Sequence, residues 1–174
     1  MKRHIALVGF MAAGKSTIGK RLARRLKSAF YDVDELVVDE HGAVSDIFYN
    51  EGEGAFRRYE HAALVRVLES GEPGVVALGG GALASDENQK LLKKRAYRIF
   101  IKITPEQALE RLRRSPRVRP LLGPTPSLTR IRELYAKRMP QYAHADHVVE
   151  ADHLSTAQTV DEIIAWLHKK KIIR

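Results

Sequence analysis

Apolar residues recur along the chain at two spacings, which predict an alternation of strands and helices. Residues 4–9, HIALVG, form a short apolar run that predicts a buried strand. Residues 15–26 place Ile18, Leu22 and Leu26 four apart, as on one face of a helix. Further short apolar runs predict the remaining strands, at 29–34, 74–81, 97–103 and 147–151.

Capping residues and breaks place helices between these strands. Residues 44–70 predict a helix in two pieces, broken near Gly52 and Gly54 and begun by an N-cap signal at Ser45 and Asp46. The other predicted helices lie at 85–94, 104–114, 127–145 and 155–170. Residues 115–126 hold four of the seven prolines, and we expect a long loop there.

Strands that alternate with helices predict a three-layer α/β fold, in one domain over residues 1–174. Its parallel five-stranded sheet would be covered by helices on both faces. Ligands of such a sheet bind beyond the carboxyl ends of the strands. Residues 9–16 follow the first predicted strand, Asp32 and Asp34 end the second, and the glycines at 79–81 end the third. We therefore expect these residues to form one site.

The composition narrows the class of protein without changing the predicted fold. The chain has a net charge of +9 and no cysteine, which excludes disulfides and cysteine-based zinc sites. No apolar run approaches the roughly 20 residues that span a bilayer. A strand also begins too early to leave room for a signal peptide, so we expect a cytoplasmic protein without a membrane partner. The charge suits a nucleic acid or anionic small molecules, and the chain has no RNA-binding aromatic signature.

The segment GFMAAGKST at residues 9–17 has the spacing of a loop that wraps phosphate. Consecutive backbone N–H groups in such a loop form an anion-binding concavity, and the following helix adds the positive end of its dipole. Lys15 would reach the β- and γ-phosphates of a nucleotide, and the Ser16 hydroxyl would ligate Mg²⁺. The alternative is an ordinary glycine-rich turn, but strand, loop and helix occur in the required order.

Three further segments carry groups suited to a substrate. Asp32 and Asp34 stand two apart in a predicted extended segment, so both side chains should face one side, and the alternative is a helix cap at Asp34. Arg57 and Glu60 are three apart on a predicted helix, where a guanidinium fixed by a carboxylate forms a fork for a substrate carboxylate. The alternative for this pair is a surface ion pair. The glycines at 79–81 would offer backbone N–H groups to a ligand or form a loose loop.

Taken in order, these segments resemble the shikimate kinase family over nearly the whole chain. The resemblance is carried by GFMAAGKSTIGK, DVD, FRRYE, LGGG, RPLL at 119–122 and KRMPQY at 137–142. It implies the fold of the nucleoside monophosphate kinase branch of P-loop proteins, with strand order 2-3-1-4-5, substrate-binding helices at about 34–60 and a mobile lid at about 112–126. It also implies transfer of the γ-phosphate of ATP to the 3-hydroxyl of shikimate, with Mg²⁺ as cofactor.

The resemblance implies a role for each residue that matches a family motif. The implied catalytic residues are Lys15, Asp34 and Arg119. The implied ATP contacts are Gly9, Ala12, Ala13, Gly14, Lys15, Ser16, Thr17, Arg111 and Arg119. The implied substrate contacts are Asp34, Arg57, Gly79, Gly80, Gly81 and Arg138. The implied Mg²⁺ contacts are Ser16 and, through water, Asp32.

The family pattern leaves two points of the nucleotide site open. An arginine before the lid should stack on adenine, and Arg111, Arg113 and Arg114 are the candidates. Ala12 stands where the family commonly has glycine, so either its φ is negative or the loop is slightly altered.

The choice of substrate has alternatives as well. Kinases of other small hydroxylated acids, such as gluconate, share the loop and the lid, and a basic nucleic-acid-binding module is the alternative from another class. The resemblance implies that Glu60 orients Arg57, and that Phe48 and Phe56 line the substrate pocket unless they only pack in the core. We expect a monomer with ATP and shikimate as its partners and no nucleic acid.

Overall fold

A parallel β-sheet forms the centre of the structure, a computed structural model that describes residues 3–69, 72–114, 120–122 and 127–173. Its strands lie in the order β2-β3-β1-β4-β5, and neighbouring strands are parallel throughout. The predicted fold class and strand order are therefore confirmed. The strands are β1 (His4–Val8), β2 (Phe30–Asp32), β3 (Val75–Ala77), β4 (Ala96–Lys102) and β5 (His147–Glu150).

Helices connect these strands and cover both faces of the sheet. Short 3₁₀ turns lie at Ala82–Ala84 and Pro120–Leu122. The rest of the predicted loop, at 115–119 and 123–126, lies outside the described residues, so the lid at about 112–126 stays a prediction. The described helices are α1 (Lys15–Leu26), α2 (Val33–His41), α3 (Val44–Asn50), α4 (Gly52–Glu69), α5 (Asp86–Arg95), α6 (Pro105–Arg113), α7 (Leu128–Tyr142) and α8 (Thr156–Lys169).

The two faces of the sheet carry separate hydrophobic cores, because neighbouring residues of a strand point to opposite sides. In β1, Ile5 and Leu7 pack with side chains of α1, α6 and α8. Ala6 and Val8 pack with side chains of α2, α3, α4 and α5. Since all four residues are buried, β1 is an unbroken apolar run, which is the signature of a strand covered on both faces.

The predicted extended segment through Asp32 and Asp34 is wrong. Strand β2 ends at Asp32, and α2 begins at the next residue, so Asp34 lies in the first turn of a helix. The Asp32 carboxylate is the N-cap and accepts hydrogen bonds from the N–H groups of Asp34 and Glu35. An aspartate followed by two acidic residues within three positions is a favourable helix start, and this signal outweighs the short strand pattern.

The sequence predicted the start of α5 correctly and the start of α3 wrongly. Ser85 caps α5 as predicted, since its hydroxyl accepts from the N–H of Asn88. The predicted cap at Ser45 and Asp46 is wrong, because α3 begins after Ala43, which makes no side-chain cap bond. The predicted break in this helical region is confirmed at Gly52, whose φ is 81°.

Two features are missing from the described part of the chain. No helix there combines the length and the apolar character that crossing a bilayer requires. No group of three or more histidine, cysteine, aspartate and glutamate side chains is arranged there to hold a metal ion by itself.

Replacing Ser155 by alanine should lower the free energy of unfolding by about 0.5–2 kcal/mol. Ser155 forms a capping box with Gln158 at the start of α8, and alanine removes its side-chain acceptor. The matched control is Ser45→Ala, which removes a hydroxyl that caps nothing and should change stability by less than about 0.5 kcal/mol. Urea unfolding followed by circular dichroism measures both variants. Equal losses in the two would contradict these helix starts.

Candidate functional site

Three segments meet beyond the carboxyl ends of β1, β2 and β3: the glycine-rich loop, the start of α2 and the glycines at 79–81. The connection after β1 runs to α1 on one face of the sheet, the connection after its neighbour β3 runs to α5 on the other face, and open α/β sheets bind ligands at such a switch point. A cavity of about 470 Å³ opens there, lined by both charged and apolar side chains. Its apolar wall is formed by Met11, Val38, Val44, Phe48, Phe56 and Leu121.

The loop after β1 has the backbone of an anion-binding turn. Gly9 and Gly14 have φ values of 149° and 88°, which L side chains rarely adopt. Gly14 is the N-cap of α1 and forms no side-chain cap bond, so the first N–H groups of this helix suit an anion. The Lys15 ammonium donates to the carbonyls of Gly9 at 2.8 Å and Phe10 at 2.9 Å. Its positive charge is therefore held at the loop.

Ala12 adopts the left-handed backbone conformation, with a φ of 61°. Of the two alternatives for Ala12, a negative φ is therefore excluded, and the residue has the left-handed backbone that a glycine would allow. This conformation costs an alanine roughly 1–2 kcal/mol. Of its predicted neighbours in the nucleotide site, Ala13 is buried against the core and Thr17 is exposed in the first turn of α1.

The three arginines proposed to stack on adenine differ in their contacts. The Nη1 group of Arg111 donates to the Ala12 carbonyl at 3.3 Å, which brings α6 against the phosphate loop. Arg113 is exposed, and Arg114 is exposed and pairs with Glu110 at 2.7 Å. Arg111 is therefore the best placed of the three for a nucleotide. Arg119 lies outside the described residues, and its role stays a prediction.

Ser16 and Asp32 are in contact, and the resemblance to the family implies that both residues serve a Mg²⁺ site. Ser16 Oγ donates to Asp32 Oδ2 at 2.5 Å, while Asp32 Oδ1 accepts from backbone N–H groups at 3.1 and 3.3 Å. The helix cap thus fixes one carboxylate oxygen and leaves the other facing the phosphate loop. Mg²⁺ prefers hard oxygen ligands and takes few from protein, so these residues fit this ion.

Arg57 is held in place by two carboxylates on its own helix. Its Nη1 donates to Glu60 Oε2 at 2.8 Å, and its Nη2 donates to Glu53 Oε1 at 3.0 Å. The Glu60 side chain is only 1% exposed, so the alternative of a surface ion pair is wrong. A guanidinium held by two carboxylates and lining a cavity is prepared to bind a planar anion.

Arg138 is a second cation at the same cavity, presented by α7. It is buried, and its Nη1 has no hydrogen-bond partner among the described residues. A buried charged donor without a partner costs free energy unless something satisfies it. A bound carboxylate would satisfy it, so Arg57 and Arg138 together favour an anionic ligand. Asp34 lines the cavity from the first turn of α2.

Burial and neighbouring charges shift the pKa values of this cluster. Burial raises the pKa of the Glu60 carboxyl above its ordinary value, although the charge of Arg57 pulls it down. Burial would lower the pKa of Arg57, but the charge and hydrogen bond of Glu60 outweigh it and raise the pKa. Burial lowers the pKa of Arg138, and the nearby charge of Arg57 lowers it further. The two cations repel each other, which an anion between them would relieve.

Sequence reasoning gave no role to two residues that shape the site. Glu53 holds one edge of Arg57 from four residues earlier on α4, a spacing from which the contact is predictable. The Tyr142 hydroxyl is buried and donates to the Gly80 carbonyl at 2.8 Å, which anchors the glycine segment to α7. Tyr142 lies in the KRMPQY segment, but its partner is distant in sequence, so no local signal identifies this bond.

Comparison with known proteins decides which family has this site. The family model described as "Shikimate kinase" matches residues 11–168. The chain belongs to the shikimate kinase family. A curated shikimate kinase from Nitrobacter winogradskyi is 41% identical over 169 residues, covering 97% of this chain and 78% of the relative.

Solved structures of shikimate kinases share the fold of this family member along its whole length. The enzyme from Acinetobacter baumannii, solved in complex with shikimate, has a TM-score of 0.91 at 31% identity, over 98% of this chain and 96% of that one. The enzyme from Aquifex aeolicus has a TM-score of 0.83 at 36% identity, over 97% of this chain and 98% of that one.

The contribution of Glu60 to the stability of this shikimate kinase should decrease as pH rises. A carboxyl whose pKa is higher in the folded state binds its proton more tightly there, so stability falls above the ordinary pKa of 4.5 until the folded pKa is passed. The unfolding free energy of the wild type minus that of Glu60→Gln should therefore fall as the pH rises above about 4.5, by at most about 1.4 kcal/mol per pH unit. Urea unfolding across this range measures the difference. An increase with pH would contradict the raised pKa.

Proposed function

We propose that this shikimate kinase transfers the γ-phosphate of ATP to the 3-hydroxyl of shikimate, giving shikimate 3-phosphate and ADP. The observation that carries the proposal is one cavity beside the phosphate loop that contains Arg57, Arg138 and Asp34. Shikimate is a small ring with a carboxylate on one side and hydroxyl groups on the other. The cavity offers two cations for the first and a carboxylate for the second.

The substrate carboxylate binds between Arg57 and Arg138 in the proposed complex. It satisfies the buried Nη1 of Arg138 and reduces the repulsion between the two cations. The ring then rests against an apolar wall that includes Phe48 and Phe56, whose rings lie 5.3 Å apart. The carboxylate at one end and the wall along one face together fix which hydroxyl is directed toward the nucleotide.

Asp34 receives the proton of the attacking hydroxyl in the proposed reaction. The 3-oxygen of shikimate forms a bond to the γ-phosphorus, and the bond from that phosphorus to the β–γ bridging oxygen breaks. The proton of the hydroxyl passes to the Asp34 carboxylate, and ADP leaves with the bridging oxygen. Positioning and charge stabilisation supply most of the catalysis in such transfers.

The phosphate loop and its surroundings hold ATP in this proposal. The loop N–H groups and Lys15 contact the phosphates, and Arg111 lies beside the loop for the adenine. Ser16 and Asp32 would hold Mg²⁺, which supplies positive charge to the phosphate oxygens when bound. We propose that Arg119 closes over the phosphates as part of the lid.

A coupled assay of ADP release tests the proposed acceptor directly. Shikimate should support turnover at least about tenfold faster than quinate, gluconate or a nucleoside monophosphate, because Arg57, Arg138 and Asp34 match its groups together. Equal rates with gluconate would contradict the choice of shikimate.

We further propose a cytoplasmic monomer that binds no nucleic acid, and the net charge of +9 then serves anionic substrates.

Replacing Asp34 by asparagine should lower kcat by about 10²–10⁴-fold, because the amide keeps the shape but cannot accept the proton. The KM for ATP should stay within about twofold, since Asp34 lines the acceptor cavity rather than the phosphate loop. The matched control is Asp46→Asn, which removes an exposed carboxylate on α3 and should leave kcat unchanged. Steady-state kinetics of both variants test the role. A kcat within a few-fold of wild type in Asp34→Asn would refute it.

Replacing Arg57 by alanine should raise the KM for shikimate far more than the KM for ATP. Loss of one partner from a buried charge pair costs about 2–5 kcal/mol, which is at least about 30-fold in affinity. Arg58→Ala is the matched control, because the next residue of α4 is exposed and does not line the cavity. Titration of each substrate at saturating co-substrate separates the two effects. Equal increases in both KM values would indicate a structural role for Arg57.

A further inference from the structure

Each of the three consecutive glycines after β3 lies against a different charged part of the acceptor cavity. A Cβ atom on Gly79 would lie within 3.0 Å of Glu60 Oε1 and Asp34 Oδ1. A Cβ atom on Gly80 would lie 2.9 Å from Arg138 Nη1. A Cβ atom on Gly81 would lie within 3.0 Å of the Arg57 guanidinium. Distances under 3.0 Å essentially never occur for real Cβ atoms, so any side chain here displaces its neighbour.

The backbone conformation does not explain why these three positions are glycine. Among the described glycines, those with φ in the left-handed region are Gly9, Gly14, Gly42 and Gly52, and the segment at 79–81 is not among them. Gly81 has φ of −109° and ψ of 0°, values in the bridge region that residues with a Cβ atom also adopt. What the segment requires is therefore the space that a missing Cβ leaves.

The glycine segment is also fixed, so it does not move aside for a side chain. The Gly79 carbonyl accepts from the N–H of Ala82 at 3.1 Å, and the Gly81 carbonyl accepts from the N–H of Ala84 at 3.0 Å. The Gly80 carbonyl accepts from the buried Tyr142 hydroxyl at 2.8 Å. With all three carbonyls bonded, a side chain added here shifts the charged groups rather than the backbone.

We propose that Gly79, Gly80 and Gly81 are positioning residues, each of which leaves, through the Cβ atom it lacks, the space that the charged groups beside it occupy. Gly79 leaves space for the Asp34 and Glu60 carboxylates, Gly80 for Arg138, and Gly81 for Arg57. The proposal rests on the proposed function, because it assigns each glycine to the step that its charged neighbour performs.

The displaced atoms belong to side-chain ends rather than to the backbone, so we expect them to shift with the Arg57–Glu60 ion pair intact and with a small loss of stability. Catalysis is far more sensitive, since a misplacement of about 1 Å costs up to about 10²-fold. A single added methyl group should therefore impair function while the protein stays folded. The kind of impairment should depend on which glycine carries the methyl group.

Gly79→Ala, Gly80→Ala and Gly81→Ala test this assignment by steady-state kinetics. Gly80→Ala and Gly81→Ala should raise the KM for shikimate at least about tenfold, and Gly79→Ala should lower kcat at least about tenfold. The KM for ATP should stay within about twofold in all three. The control is Gly54→Ala, whose Cβ would meet only Arg58 Nη1 at an ordinary 3.8 Å and which should behave as wild type.

A double-mutant cycle keeps the test valid if one variant is unstable. Lysine at position 57 lacks the guanidinium that a Cβ on Gly81 would meet, so Gly81→Ala should change the KM for shikimate by less than about twofold in an Arg57→Lys background. A full tenfold effect in that background would refute the role of Gly81 as a spacer for Arg57.

Two results would overturn the assignment as a whole. One is wild-type kinetics in all three alanine variants, and the other is an equal rise of the KM values for shikimate and ATP, which indicates a purely structural segment. Melting temperatures, expected within about 4 °C of wild type, separate unfolding from misplacement. Absence of shikimate phosphorylation in the wild type would instead refute the proposed function, so the two failures are distinguishable.

Discussion

The buried ion pair between Arg57 and Glu60 is the interaction on which the acceptor side of the site depends. Its two groups are 2.8 Å apart, and Glu60 is almost completely removed from water. Burial of a carboxylate is unfavourable unless a cation compensates it, and removal of one partner leaves the other uncompensated. Arg57 cannot leave this arrangement without exposing that penalty, so its guanidinium is fixed before any substrate arrives.

This preorganisation continues in the groups around the pair. Glu53 holds a second edge of Arg57, and Arg138 adds a nearby cation. The cluster is consequently crowded with like and opposite charges in a region of low solvent access, where electrostatic interactions are strong. An anion with two acceptor oxygens is the ligand that such a cluster accommodates with the least reorganisation.

The nucleotide side of the site is also preorganised, in part through its backbone. Asp32 caps α2 with one oxygen and contacts Ser16 with the other, so a single carboxylate joins the start of a helix to the phosphate loop. Ala12 is held in a left-handed conformation that its side chain disfavours, while its carbonyl receives Arg111. Local strain of this kind persists where the surrounding structure determines the backbone, as it does in a phosphate loop.

The sequence by itself determined the alternation of five strands with helices and the identity of the phosphate loop, because apolar periodicity and the spacing of Gly14, Lys15 and Ser16 are local signals. It also predicted the pairing of Arg57 with Glu60, since residues three apart on a helix are neighbours. It failed at Asp34, where a cap signal outweighed a strand pattern. Only the tertiary structure decided that this ion pair is buried and that each glycine at 79–81 faces a charged group. Burial and close approach depend on segments distant in sequence, and no local pattern encodes the space between them.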